Sequence, residues 1–147
     1  MNYIREAITQ QHIGEEAIAL RRHLHAHPDL SEQEFPTMEL VCEHFDAAGI
    51  PYERNGAESG VVGLIKGSFS GPVIALRADM DALPIQEDHP DAPYCSKTAG
   101  VMHACGHDMI LAAALILAKI VAEEQRMQEN FPVRLRFLFE PAEEIGE

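Results

Sequence analysis

His103-Ala104-Cys105-Gly106-His107-Asp108, then the apolar run Met109-Ile110-Leu111-Ala112-Ala113-Ala114-Leu115-Ile116-Leu117-Ala118, then Val133-Arg134-Leu135-Arg136-Phe137-Leu138-Phe139-Glu140, is the stretch that decides the fold. Ile110, Leu111, Ala114, Leu115, Leu117, Ala118, Ile120 and Val121 cover most of a helix circumference, which predicts a central helix flanked on two sides. Val133, Leu135, Phe137 and Phe139 recur at the two-residue period of a strand that ends at Glu140-Pro141. Working upstream, Gly60 to Ile65 and Val73 to Leu76 are short β-branched or aliphatic runs separated by Gly67-Ser68-Phe69-Ser70-Gly71-Pro72. This pattern predicts two strands joined by a turn. Residues 80–101 form a long loop, and long ordered loops in compact domains are often functional.

Residues 3–26, with Ile4, Ala7, Ile8, Ile13, Ala17, Ile18 and Leu20, have the spacing of an amphipathic helix stopped by Pro28. Ser31-Glu32-Gln33-Glu34 offers a capping-box start for a second helix with Met38, Val41, Cys42 and Phe45 as its apolar stripe. Gly49 supplies its stop. The order of helices, paired strands, loop, helix and strand predicts an α/β fold, a mixed sheet flanked by helices. In such sheets ligands gather beyond the carboxyl ends of the strands.

Eleven basic side chains against 24 acidic ones give a formal net charge of -13 over 147 residues. A nucleic-acid groove or an anionic membrane surface would repel such a chain, so neither is an expected partner. The run Met109 to Ala118 is far shorter than the roughly 20 residues that span a bilayer. Met1 to Glu6 shows neither the basic nor the apolar region of a secretory signal, and a cytoplasmic address is the expectation. Cys42, Cys95 and Cys105 do not make a disulfide framework.

His103, Cys105 and His107 place three potential metal ligands just before a helix whose positive end favours a thiolate. Zinc and its first-row neighbours bind thiolate, imidazole and carboxylate, so Cys105 and His107 with Glu144 make a plausible partial shell. Gly106 lets the chain bend between them. Taken alone, a Cys-x-His pair is more often a helix cap beside an inert cysteine, because so short a motif recurs by accident. The adjacent Glu143 and Glu144 allow one carboxylate to hold a metal while the other takes a proton from water. Asp79 and Asp81 fall on one side of an extended segment, as they would in an ordinary strand-end turn. Three such clusters at three predicted strand ends favour a metal site over three unrelated turns.

With these residues in place, the chain resembles the co-catalytic metallo-amidohydrolases that include hippurate hydrolase, N-acyl-amino-acid amidohydrolases and carboxypeptidases, and indole-acetyl-amino-acid hydrolases. The resemblance runs through Arg21 to Ser31, Ala75 to Pro84, Met102 to Met109 and Phe139 to Glu144. It implies the first part of a co-catalytic zinc-peptidase-like catalytic domain. In the complete enzyme it implies two divalent ions, zinc or manganese, with cobalt or nickel as alternatives. Cys105, His107 and Glu144 would be metal ligands, Glu143 the general base, and Asp81 a catalytic support that orients the ligands. The implied reaction is amide hydrolysis of an N-acyl amino acid or peptide, by a protein that is a homo-oligomer when complete. The histidine-rich His23-Leu24-His25-Ala26-His27 is structural in that family, and positions i, i+2 and i+4 do not share one helix face.

The sequence departs from the family at Ile110, where a further histidine is usual, and in its length. Residues 1–147 match the N-terminal portion of a catalytic domain, with the lid or dimerisation domain and the C-terminal part of the catalytic domain absent. A truncated chain is expected to hold one metal ion or none, to expose the last strand, Val133 to Phe139, and to be weakly active. A non-catalytic remnant that binds metal or a partner is the competing reading. A redox thiol protein built on Cys105 is the third, and it meets no resolving cysteine nearby in sequence.

Overall fold

The computed structural model describes residues 12–55, 58–68 and 70–146. Two helices, α1 (Ile13–Ala26) and α2 (Phe35–Ala48), precede the strands β1 (Tyr52–Arg54), β2 (Val61–Ile65) and β3 (Val73–Asp79). A long helix α3 (His107–Met127), the strand β4 (Arg134–Glu140) and a 3-10 turn over Glu143–Ile145 follow. The first part of the expected helix over 3–26, with Ile4, Ala7 and Ile8, lies outside the described residues, as does Phe69.

The four strands form one mixed sheet in the order β1-β2-β4-β3. β1 and β2, and β2 and β4, are antiparallel, while β3 and β4 are parallel and joined through α3. A parallel pair needs such a crossover, because a tight turn can only reverse the chain. Here the hairpin expected over 60–76 is corrected. β2 and β3 are not neighbours, because β4 lies between them and its Leu135 pairs with both Ile65 and Ile74. The expected exposure of the last strand is corrected for the same reason: β4 is interior. The edge strands are β1 and β3, and on β3 Val73 and Ile74 are exposed.

Helices cover the face bearing Val61, Ile65, Leu135, Phe137 and Phe139, all buried. α3 packs against α1, α2 and β3, the central placement that its all-round apolar pattern requires. α2 contributes Met38, Val41, Cys42 and Phe45, the expected stripe, and Gly49 ends it in the left-handed conformation at φ 66°. Its start differs from the expectation. Ser31 does not cap the helix, because its hydroxyl donates instead to Asp81. The Thr37 amide and hydroxyl donate to Asp29 Oδ2, at 3.0 and 2.6 Å.

Phe45 is the hub of the core, its ring centroid 5.5 Å from that of Phe139, 6.3 Å from that of Phe137 and 5.9 Å from that of Tyr52. It lies directly over Gly63, where a Cβ would come within 2.5 Å of the ring. Gly63→Ala is therefore expected to destabilise the fold by about 1–3 kcal/mol through overpacking. Urea denaturation checks this, and a midpoint unchanged from wild type would contradict it.

Candidate metal centre

β3 and β4 run parallel in a register that sets Asp79 beside Glu140, so the segments leaving both strands emerge at one sheet end. Asp81 follows β3, Glu143 and Glu144 follow β4, and Cys105-Gly106-His107 starts α3. Gly106 has φ 104°, a conformation that costs a residue with a Cβ, although open space surrounds it.

Cys105, His107 and Glu144 each offer one ligand atom, and these atoms lie within 4.8 Å of one another. His107 is buried, and its Nδ1 donates to the Asp81 carbonyl oxygen at 2.9 Å. That bond fixes the tautomer and leaves Nε2 as the free lone pair, 3.8 Å from Glu144 Oε1 and 3.7 Å from Glu143 Oε2. Asp81 is wholly buried, and its Oδ2 accepts from Ser31 Oγ at 2.7 Å and from the Glu144 amide at 2.9 Å. It supports the histidine and the glutamate backbone together.

A divalent cation fits this donor set. Glu144 Oε1 is buried with no hydrogen-bond donor among the described residues, a cost that a cation would remove. The Cys105 thiol is pushed above its ordinary value, chiefly by the negative charge of Glu144 and secondarily by desolvation. The expectation that the helix end favours a thiolate is thus corrected for the metal-free chain, because the acidic neighbours outweigh it. A bound cation would reverse that balance.

His103, the third potential ligand in the sequence, stands outside this group. It is buried, and both ring nitrogens lack a hydrogen-bond partner among the described residues. Burial lowers its pKa from 6.5 to about 4, against the opposing pull of Asp108. The unfolded chain therefore takes up a proton between pH 6.5 and 4 that the folded chain resists. Stability is retained above pH 6.5 and declines as pH falls towards 4, by up to about 3 kcal/mol. Urea denaturation from pH 7 to 4 checks this: His103→Asn should flatten the decline, and an equal slope in both chains would contradict it.

The histidine-rich stretch of α1 binds protein groups. His25 Nδ1 donates to Asp108 Oδ2 at 2.7 Å, Arg21 Nε lies 2.8 Å from the same oxygen, and His25 Nε2 lies 3.2 Å from Glu87 Oε1. His27 Nδ1 donates to the His23 carbonyl. This network pins α1 and the 80–101 loop to the start of α3, directly behind His107. Asp79 and Asp81, alike in sequence, separate in role, since Asp79 is paired with Arg77 at 2.8 Å. Glu34, which sequence reasoning placed in a helix cap, is buried against the segment that carries Glu143.

Comparison with known proteins gives a consistent picture. Residues 75–147 match the model of peptidase family M20/M25/M40. The chain is 44% identical over 134 residues to an N-acetyl-L-cysteine deacetylase of Bacillus subtilis, covering 91% of this chain and 31% of that protein. It is 44% identical over 130 residues to an N-acyl-L-amino acid amidohydrolase of Geobacillus stearothermophilus, covering 88% and 34% respectively. Among solved structures, the Bacillus subtilis YXEP protein, described as a dinuclear metal binding peptidase from the M20 family, superposes with a TM-score of 0.83. Its identity is 39%, and the match covers 93% of this chain and 37% of that one. The chain thus spans about a third of the length of the curated relatives it matches. No described helix is long and apolar enough to cross a membrane.

Proposed function

Because the chain belongs to peptidase family M20/M25/M40, we propose that it serves metal-dependent hydrolysis of the amide bond of an N-acyl amino acid or small peptide. The observation that carries this reading is the convergence of Cys105, His107 and Glu144 at the end of a parallel strand pair, with Glu143 beside them. Cys105, His107 and Glu144 hold a divalent ion. A thiolate, imidazole and carboxylate set suits zinc, with manganese as the second choice. When bound, such an ion polarises an amide carbonyl and makes water a better acid.

The protein's own groups divide the remaining work. Glu143, the more open of the two carboxylates, takes the proton from the attacking water and returns it to the leaving amine. Asp81 keeps the His107 lone pair aimed at the site and anchors the Glu144 amide. The 147 residues form the N-terminal portion of the catalytic domain. The complete enzyme works with two divalent ions as a homo-oligomer, and its working compartment is the cytoplasm. By itself this portion holds a single ion, on Cys105, His107 and Glu144.

The test is metal content of the purified chain after dialysis against zinc or manganese, with hydrolysis of N-acetyl amino acids assayed on the same samples. One bound ion per folded chain supports the site, and turnover extends the support to the reaction. A folded chain that retains no metal would remove the metal-centre reading from these residues.

A further inference from the structure

Glu34 is completely buried, yet none of its side-chain hydrogen bonds goes to the helix that it precedes. Its Oε1 accepts from the backbone amides of Glu32 at 3.1 Å and Ala142 at 2.8 Å, and its Oε2 accepts from Ser59 Oγ at 2.7 Å. Both amides belong to residues in the left-handed region, Glu32 at φ 65° and Ala142 at φ 59°. Only His12 shares that conformation among the described non-glycine residues. Side chains with a Cβ persist there only where the surroundings over-determine them, and such strain clusters at functional sites. Here one carboxylate oxygen ties down two strained residues from segments more than a hundred positions apart, Ala142 lying 108 residues from Glu34.

Ala142 immediately precedes Glu143 and Glu144, so its φ and ψ decide where both side chains point. The far side of the same turn is held by Asp81 through the Glu144 amide. The turn is thus gripped at both ends by buried carboxylates from different parts of the chain.

We propose that Glu34 is a positioning residue of the metal centre, which aims Glu143 and Glu144 by holding Ala142 in the left-handed conformation. It touches none of the ligand atoms and acts through the backbone. The proposal rests on the reading of Glu143 as base and Glu144 as ligand.

Three variants test it. Glu34→Ala removes every acceptor. Glu34→Gln keeps an oxygen for the two amides and turns an NH2 towards Ser59, whose hydroxyl can accept. Val41→Ala, in the core and away from the turn, lowers overall stability without touching Glu34. Zinc affinity is measured by competition with a chromophoric chelator, and deuterium uptake of the metal-free chain is followed over residues 142–146. Glu34→Ala is expected to weaken zinc binding by about 10–100-fold and to speed exchange in that segment beyond the rest of the chain. Glu34→Gln should restore both to within about threefold of wild type, and Val41→Ala should leave zinc affinity unchanged. Should Glu34→Ala not fold, Glu34→Asp takes its place: one methylene shorter, it cannot span Ser59 and Ala142 together, and an effect on the order of tenfold is expected.

Wild-type zinc affinity in a folded Glu34→Ala or Glu34→Asp chain overturns the proposal. So does the same loss in Val41→Ala, or unchanged exchange at 142–146. Failure of the wild-type chain to bind zinc at all removes the underlying reading of Glu143 and Glu144 instead, a result distinct from the others.

Discussion

Glu143→Gln is expected to lower amide hydrolysis by a factor on the order of 10²–10⁴ while zinc binding stays at the wild-type level, because general base catalysis contributes about that much. The geometry separates the two carboxylates. The Glu144 side chain is 15% exposed and joins Cys105 and His107 in the ligand group, whereas that of Glu143 is 39% exposed, with an oxygen 3.7 Å from His107 Nε2. Glutamine keeps the size and polarity of Glu143 and loses only its ability to accept a proton. Steady-state rates on N-acetyl amino acids at saturating metal are the measurement. The fall should lie in kcat with KM little changed, since the missing interaction belongs to the transition state. Turnover within a few-fold of wild type would take Glu143 out of the proton transfer.

The second large effect is on metal affinity. Structural zinc sites with four ligands bind with roughly 10–16 kcal/mol, so one ligand is worth about 3 kcal/mol, or about two orders of magnitude in Kd. Cys105→Ala should show a loss of that size. The same residue sets a pH dependence. In the metal-free chain Glu144 pushes the thiol above its ordinary value, so at neutral pH the thiol is protonated and must release that proton to bind. Affinity therefore rises with pH, by about tenfold per unit while the thiol remains protonated. Cys105→Ala should flatten this slope by one proton. Chelator competition between pH 6 and 8 measures both, and equal slopes in the two chains would remove Cys105 from the ligand set.

The long helix and the last strand were legible because each follows a single period over many residues. α3 buries Leu111, Leu115, Ala118 and Ala122 along one side, and β4 buries Leu135, Phe137 and Phe139 in strict alternation. The hairpin was misread because Gly67 to Pro72 satisfies the local rules for a turn. The pairing is decided instead by a strand sixty residues further on, whose apolar residues suit both β2 and β3. β1 carries no apolar pattern in Tyr52-Glu53-Arg54 and left nothing to read. In the candidate site, Cys105 and His107 stand in a recognisable motif, and Glu143 with Glu144 in another. Glu34 was hidden, because an acidic residue beside Ser31 at the start of a helix matches a capping box, and only the folded chain brings Ala142 to it.

The parallel pairing of β3 with β4 also orders events in time. Asp81 and the Glu144 amide are 63 residues apart in sequence, and Glu34 and Ala142 are 108 apart. Contacts that span such separations form late, after local helices, because the closure entropy of the intervening chain must be overcome first. The proposed ligands are therefore scattered through most of the search for the native state and converge only as it completes. A metal ion bound at the proposed centre would find no complete grip on a partly folded chain, so its expected influence falls on escape from the native state: slower unfolding, with the rate of folding almost untouched.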